Sequence, residues 1–262
     1  MIKKVLNTIK RTLFKSPLKI TYEDLPASLR EAIDYANQNS ESSGVSYPDY
    51  LNLYTYVKNI KPQYVLECGT GKSTIVIAQA MLDNREENPN DARLNNMKLI
   101  SMEDKLEWYE QSKTNIPEKF TDFVEVHHSP LSTDSYSLIT GVIYENKPDY
   151  PYDFIFVDGP DQSGGTGVTQ CDFDFIQYVK KATKPVSAII DNRKHTILAC
   201  TLAFGQTKVS FYPNEALGFV QPVTNEDLII DDKLAIRSTL FLNGFITLQK
   251  SLFLTTYDKS QA

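Results

Sequence analysis

The chain has 262 residues, of which 41% are hydrophobic and 23% are charged, and its formal net charge is −6 at pH 7. This mixture is typical of a globular protein and excludes a low-complexity or collagen-like chain. The acidic balance argues against nucleic-acid binding, and no apolar run approaches the ~18 residues that a membrane-spanning helix needs. The three cysteines are too few for a disulfide framework and lack the paired spacing of a zinc site, which favours a reducing, cytoplasmic location.

The start of the chain is basic and amphipathic. Six cations and no anion precede the first acid, Glu23, and apolar residues recur between them at helical spacing. This pattern predicts a helix over residues 2–15 with one apolar and one basic face. Two interpretations stay open: the helix docks on its own domain, or it makes peripheral contact with an anionic membrane surface or a partner.

Further along the chain, helical and β-rich stretches alternate. Helices are predicted over 27–38 and 48–60, and then strands over 64–67, 98–102, 123–127, 154–157 and 186–190, with helices over 73–82, 105–113 and 173–182. Apolar strands separated by helices are typical of a parallel sheet that is covered on both faces. The runs 209–212 and 239–242 predict an antiparallel edge. We therefore expect an α/β fold with a doubly wound, mostly parallel, Rossmann-like sheet over residues 48–262, preceded by a helical extension over residues 1–47.

In such sheets ligands bind beyond the carboxyl ends of the strands, so the residues that follow each strand are the informative ones. The first strand runs into the loop Glu67-Cys68-Gly69-Thr70-Gly71-Lys72-Ser73-Thr74. A phosphate-binding P-loop would need a glycine at position 66, which is Leu66, and a dinucleotide-binding loop would need its third glycine at position 74. Both patterns therefore fail at a defined position.

The same loop matches the pattern E/D-x-G-x-G-x-S/T at every defined position. It resembles the cofactor loop of class I S-adenosylmethionine (SAM)-dependent methyltransferases. The resemblance implies that Glu67 accepts a hydrogen bond from the ammonium group of SAM, and that the backbone at Gly69, Thr70 and Gly71 approaches the cofactor. Ser73 and Thr74 would cap the following helix near the cofactor carboxylate. The alternative is a helix-start turn with a buried acid.

The next two strand ends carry further candidates for cofactor binding. The second strand ends in Glu103-Asp104, and a carboxylate there is suited to accepting two hydrogen bonds from ribose hydroxyls. Asp104 has an alternative role as the N-cap of the next helix. After the third strand, the resemblance places Ser129, and next to it His128, beside the adenine of SAM.

The run Tyr152–Pro160, YDFIFVDGP, resembles the fourth strand of small-molecule and sugar O-methyltransferases of class I. The resemblance implies that Asp158 points into the cleft where the methyl group is transferred. A glycine-rich stretch over residues 162–167 follows, which either closes over a substrate or is a mobile surface connection.

The fifth strand ends in Asp191-Asn192, which together with Asp158 resembles the divalent-metal ligands of catechol-type and caffeoyl-coenzyme-A-type O-methyltransferases. Oxygen ligands of this kind suit Mg²⁺ or another divalent cation. The match is partial, because those enzymes have a lysine soon after the first aspartate and this chain has Gly159-Pro160-Asp161.

The resemblance as a whole implies a SAM-dependent methyltransferase that methylates a hydroxyl group on a sugar or another small metabolite. The acceptor must lose a proton, and the catalytic candidates are Asp158, Asp191 and His195, acting directly or through a bound metal. Two other functions stay open: an NAD-type nucleotide-binding oxidoreductase, and a non-catalytic Rossmann-like binding module. The sequence does not determine the oligomeric state.

Overall fold

The computed structural model of the chain describes residues 20–39, 46–160, 170–213 and 216–229. Within these ranges the helices are α1 (Ala27–Asn39), α2 (Tyr47–Ile60), α3 (Lys72–Glu87), α4 (Ala92–Asn95), α5 (Leu106–Thr114), α6 (Asp174–Val179) and α7 (Lys194–Phe204). The strands are β1 (Tyr64–Cys68), β2 (Lys98–Glu103), β3 (Val124–His128), β4 (Leu131–Tyr136), β5 (Ile139–Tyr144), β6 (Phe154–Val157), β7 (Cys171–Asp172), β8 (Val186–Asp191), β9 (Val209–Tyr212) and β10 (Leu217–Val223).

Seven of these strands form one sheet in the order β3-β2-β1-β6-β8-β10-β9. The pairs from β3 to β8 are all parallel, and β10 runs antiparallel to both β8 and β9. The chain order reverses between β1 and β6, because β2 and β3 lie on one side of β1 and β6 and β8 lie on the other. The predicted fold class is confirmed: the sheet is doubly wound, mostly parallel and Rossmann-like.

Apolar side chains cover both faces of this sheet, which is why its strands lack polar alternation. On one face Val65 of β1 packs with Leu29 of α1, Val57 of α2 and Ile77 of α3. The opposite face packs against α6 and α7, and its buried members include Phe175. The part of the predicted extension that the structure describes is therefore packed into the first of these two cores, while the predicted boundary at residue 47 stays a prediction.

Two features differ from the sequence-based expectation. A β4–β5 hairpin, joined by the short β7, forms a second sheet in the order β4-β5-β7 that was not predicted. Among the described residues the antiparallel partner of β9 is β10. The run 239–242, which was predicted to share this edge, lies outside the described residues, as do residues 2–15 and 162–167. Among the helices that the structure does describe, none is long and apolar enough to cross a membrane.

Candidate functional site

The carboxyl ends of β1 and β6 meet at the point where the strand order reverses, and the loops that follow them pack backbone against backbone. Gly69 has a φ of +95°, and a Cβ atom there would lie 2.9 Å from the carbonyl oxygen of Asp158. A Cβ on Gly159 would lie 2.5 Å from the Cα of Gly69. Both positions need glycine for this contact between loops. On the side of the missing side chain, Gly69 therefore contacts the loop after β6, and the approach of its backbone to a cofactor stays a prediction.

Glu67 is fully buried beneath the glycine loop. Its Oε1 accepts a hydrogen bond from Ser73 Oγ at 2.6 Å, and its Oε2 accepts from Thr74 Oγ1 and Ser101 Oγ, each also at 2.6 Å. Burial raises the pKa of Glu67 to about 7, although the three hydroxyl groups lower it. The carboxyl group therefore joins β1 to the start of α3 and to β2.

Ser73 and Thr74, in the first turn of α3, take part in these contacts. Thr74 Oγ1 accepts from the Gly71 amide at 3.2 Å, which is the helix-capping role that the resemblance implied. The hydroxyl protons of Ser73 and Thr74, however, are donated to Glu67. In this structure the hydroxyl groups of Ser73, Thr74 and Ser101 use three of the about four acceptor positions of Glu67. The role of Glu67 at the cofactor ammonium stays a prediction.

Glu103, at the end of β2, is buried and organises the neighbouring loops. Its Oε1 accepts from the amides of Asp104 and Lys105, and its Oε2 accepts from Thr70 Oγ1 at 2.8 Å. Because a carboxylate offers about four acceptor positions, one remains on Oε2 for a ribose hydroxyl. A bidentate contact with ribose, as the sequence predicts, requires Thr70 to move. Asp104 is not the N-cap of α5, because that position is Lys105.

The two residues predicted beside adenine, Ser129 and His128, lie in different environments at the end of β3. Ser129 is fully buried, and its hydroxyl accepts from the Asn146 amide at 2.9 Å and donates to the Pro130 carbonyl. The Ser129 hydroxyl is thus enclosed at the base of the β4–β5 hairpin, and its contact with adenine stays a prediction. His128 is exposed, and its ring lies 5.7 Å from that of Tyr109.

A cavity lies beyond the ends of β6 and β8, and both Asp158 and Asp191 line it. The lining is mixed, with a mainly apolar body and three carboxylates: Asp49, Tyr50, Asn52, Leu53, Ser73, Phe156, Asp158, Ile189, Asp191 and Leu217. The Asp158 side chain is 42% exposed. Partial desolvation, aided by the charge of Asp191, raises the pKa of Asp158 to about 6 against the lowering effect of Arg193. Burial and the charge of Asp49 likewise raise the pKa of Asp191. The structure thus brings together two of the three predicted catalytic residues.

Asp49 was not predicted from the sequence, and His195, which was predicted as a catalytic residue, lies outside this cavity. Asp49 belongs to the first turn of α2, where it forms a capping box with Ser46, so its sequence signal is that of a helix start. Its position in the cavity results from tertiary packing. His195 is an exposed residue in the first turn of α7 and does not line this cavity.

The predicted metal ligands do not fit a divalent cation. The described residues contain no group of three or more His, Cys, Asp or Glu side chains that could hold a metal ion. Asn192 does not line the cavity that Asp158 and Asp191 share. The cation beside Asp158 is instead Arg193, whose Nε lies 3.6 Å from Asp158 Oδ1. Asp158 and Asp191 are therefore not assigned as ligands of Mg²⁺.

Comparisons with known proteins give structural similarity at low sequence identity. No family model and no curated protein matches the chain. The chain is similar to an O-methyltransferase from Bacillus cereus in complex with SAH, with 20% identity over 86% of this chain and all (100%) of that chain, and a TM-score of 0.46. For the O-methyltransferase TomG from Streptomyces achromogenes in complex with SAM, the identity is 16% over 86% of this chain and 99% of that chain, and the TM-score is 0.44. For the SAH-bound methyltransferase PaMTH1 from Podospora anserina, the identity is 15% over 78% of this chain and 75% of that chain, with a TM-score of 0.44.

Proposed function

We propose that this protein is a SAM-dependent O-methyltransferase that acts on a hydroxyl group of a sugar or another small metabolite. One observation carries the proposal: four adjacent parallel strands each carry a carboxyl group at the same edge of the sheet, and two of these groups, Asp158 and Asp191, line one cavity. The four groups are Glu67 on β1, Glu103 on β2, Asp158 after β6 and Asp191 on β8. A sheet edge of this charge favours a cofactor that is cationic at its reactive centre, as a sulfonium is.

The same charge argues against a dinucleotide cofactor, whose pyrophosphate is anionic. Dinucleotide-binding loops place a glycine where this chain has Thr74, so that helix and strand approach closely. Here the Thr74 side chain lies between α3 and β1 and donates to Glu67. An acid beneath the helix start weakens the attraction that this helix end offers to a pyrophosphate.

In the proposed reaction, Asp158 is the general base. When bound, the cofactor supplies an electrophilic methyl group and a thioether leaving group. The Asp158 carboxylate takes the proton from the acceptor hydroxyl as the oxygen forms its bond to the methyl carbon. A pKa of about 6 keeps this group largely ionised at neutral pH and makes it more basic than an ordinary aspartate. Tyr50 and Phe156 provide apolar walls of the cavity.

Calorimetric titration with S-adenosylhomocysteine (SAH) tests the cofactor assignment. We expect micromolar binding to the wild type, loss of binding in Glu103→Ala, and unchanged binding in Glu107→Ala, which removes an exposed carboxylate of the same loop-to-helix segment. The same titration with NAD should give no heat. If NAD binds and SAH does not, the chain is an oxidoreductase. If neither binds to the folded chain, it is a non-catalytic module.

The assignment of the base is tested separately, by methyl transfer from labelled SAM to a panel of sugars and other hydroxylated metabolites. Asp158→Asn should reduce the transfer rate by at least about 100-fold and leave SAH affinity within a few-fold. His195→Gln provides the comparison, because His195 is the other base that the sequence indicates. Loss of activity in His195→Gln with retention in Asp158→Asn would assign the base to His195.

We further propose that the protein is cytoplasmic and that residues 2–15 attach it peripherally to membranes. The support is the sequence pattern of six cations among apolar residues at helical spacing. Sedimentation with anionic vesicles should capture the wild type at low salt, and capture should fall when Lys3, Lys4 and Lys10 are changed to glutamate. Equal recovery of both proteins would contradict this assignment.

A further inference from the structure

Arg193 lies between β8 and α7 and connects three segments around the cavity. Its Nη1 donates to the Pro160 carbonyl at 2.7 Å and to Asp172 Oδ1 at 3.0 Å. Its Nη2 donates to the backbone carbonyl of Asp158, and its Nε faces the Asp158 carboxylate. The side chain is 15% exposed, so the guanidinium is held among these oxygens and is not a mobile surface cation.

The buried carboxylate of Asp172 fixes Arg193 in this place. Asp172 is fully buried, and its Oδ2 accepts from Thr196 Oγ1 at 2.7 Å. The Asp172 amide in turn donates to the same hydroxyl group at 2.9 Å. If Arg193 swung away, a buried negative charge would lose its salt-bridge partner, which is strongly unfavourable. The positive charge is therefore a permanent part of the site.

This arrangement is incompatible with the metal site that the Asp158, Asp191 and Asn192 pattern suggested. A divalent cation bound between Asp158 and Asp191 would lie close to a guanidinium that cannot lose its proton or leave. Like charges at that distance repel one another, and the repulsion is stronger next to the protein interior than in bulk water. The positive charge that metal-dependent enzymes obtain from an ion is already supplied here by the chain.

We infer that Arg193 is the resident cation beside Asp158, that it positions Asp158, and that it excludes a divalent metal from Asp158 and Asp191. The inference deepens the proposed function and rests on it, since it concerns the carboxylate proposed as the base. Arg193 is a positioning residue: it contacts Asp158 and not the reacting atoms.

Electron paramagnetic resonance of Mn²⁺ tests this directly, because the signal of the free ion falls when the ion binds to protein. The wild type, with SAH present, should leave the Mn²⁺ signal unchanged at protein concentrations of about 0.1 mM. The double variant Arg193→Gln/Asp172→Asn removes both charges of the buried pair together, so that no charge is left uncompensated. It should bind Mn²⁺ at least 10-fold more tightly than the wild type.

Three further variants make the result specific. Arg193→Lys keeps the positive charge and should exclude Mn²⁺ as the wild type does. Adding Asp158→Asn to the double variant should abolish the gained binding, which would place the ion at Asp158. Circular dichroism establishes that each variant is folded before it is titrated.

Two outcomes would overturn the inference: stoichiometric Mn²⁺ binding by the wild type that Asp158→Asn removes, or a folded double variant that gains no affinity. Failure of the proposed function is a different result, since it would be seen as absence of SAH binding to the wild type by calorimetry, whatever the Mn²⁺ titration gives.

Discussion

The titration of Glu67 gives a quantitative test of the hydrogen bonds beneath the glycine loop. Its carboxyl group is fully buried with three hydroxyl donors, and burial raises its pKa from 4.5 to about 7. Glu67→Gln preserves the shape of the side chain and removes the titration. The glutamine side chain still accepts hydrogen bonds through its amide oxygen. Its amide nitrogen faces hydroxyl groups that donate to Glu67 in the wild type, and these hydroxyl groups must rotate.

The direction of the pH effect follows from the raised pKa. Below pH 4.5 Glu67 is protonated in both the folded and the unfolded chain and contributes no pH dependence. Between pH 4.5 and about 7 the folded chain holds a proton that the unfolded chain has lost, so the free energy of unfolding falls as the pH rises. At about 1.4 kcal/mol per pH unit, the cost above pH 7 is about 3 kcal/mol.

Urea unfolding of the wild type and Glu67→Gln between pH 4.5 and 8 measures this cost. At pH 4.5 the variant should have a lower free energy of unfolding than the wild type. At pH 8 the free energy of unfolding of the variant relative to that of the wild type should be about 3 kcal/mol higher than at pH 4.5. Glu125→Gln is the opposite control, because a hydrogen bond from Lys98 lowers the pKa of Glu125. Its destabilisation should be small and nearly constant from pH 8 down to about pH 5, because a carboxyl group with a lowered pKa loses its contribution only below the unfolded value of 4.5. A difference between Glu67→Gln and the wild type that does not change with pH would refute the reasoning.

Further substitutions test other contacts of the site and the core. Gly159→Ala would place a Cβ 2.5 Å from the Gly69 Cα, and we expect a loss of about 3 kcal/mol of unfolding free energy together with weaker SAH binding, measured by urea unfolding and calorimetry. Lys147→Met leaves the buried Asp174 without its salt bridge at 2.6 Å and should cost about 3–5 kcal/mol at pH 8. Because the pKa of Asp174 is raised to about 6, that cost should shrink at pH 5, and Asp174→Asn in the same chain should recover most of it.

Much of the sheet could be predicted because its strands are buried on both faces and read as continuous apolar runs. The β9 edge was recognised in the same way, but its partner β10 was not, since it contains Pro222, which is rare within strands. The register of β10 against β8 shifts between Val220 and Val223, and this irregularity accommodates the proline. The β4–β5 hairpin was missed because its turn uses Ser137, at φ 54°, in place of the usual glycine or asparagine.

The strand-end carboxylates of the site were predictable, but their partners were not. Adjacent parallel strands place their carboxyl ends at one edge of the sheet, so Glu67, Glu103 and Asp158 were expected together. The donors to Glu67 include Ser101, which comes from a neighbouring strand 34 residues away. Arg193 directly follows the predicted Asp191-Asn192 pair, yet nothing local indicates that it pairs with Asp172. Long-range pairs of this kind depend on tertiary packing, which sequence spacing does not encode.

The way each carboxyl group is compensated explains where a cationic ligand would be drawn. Glu67 is satisfied by hydroxyl donors and is partly neutral near pH 7, and Glu103 is held by backbone amides and Thr70. Asp158 faces Arg193, which still has Asp172 to neutralise. Asp191 is repelled by Asp49, so the excess negative charge is concentrated at the cavity beyond β6 and β8. A sulfonium that placed its methyl group there would relieve this repulsion, and an anionic dinucleotide would increase it.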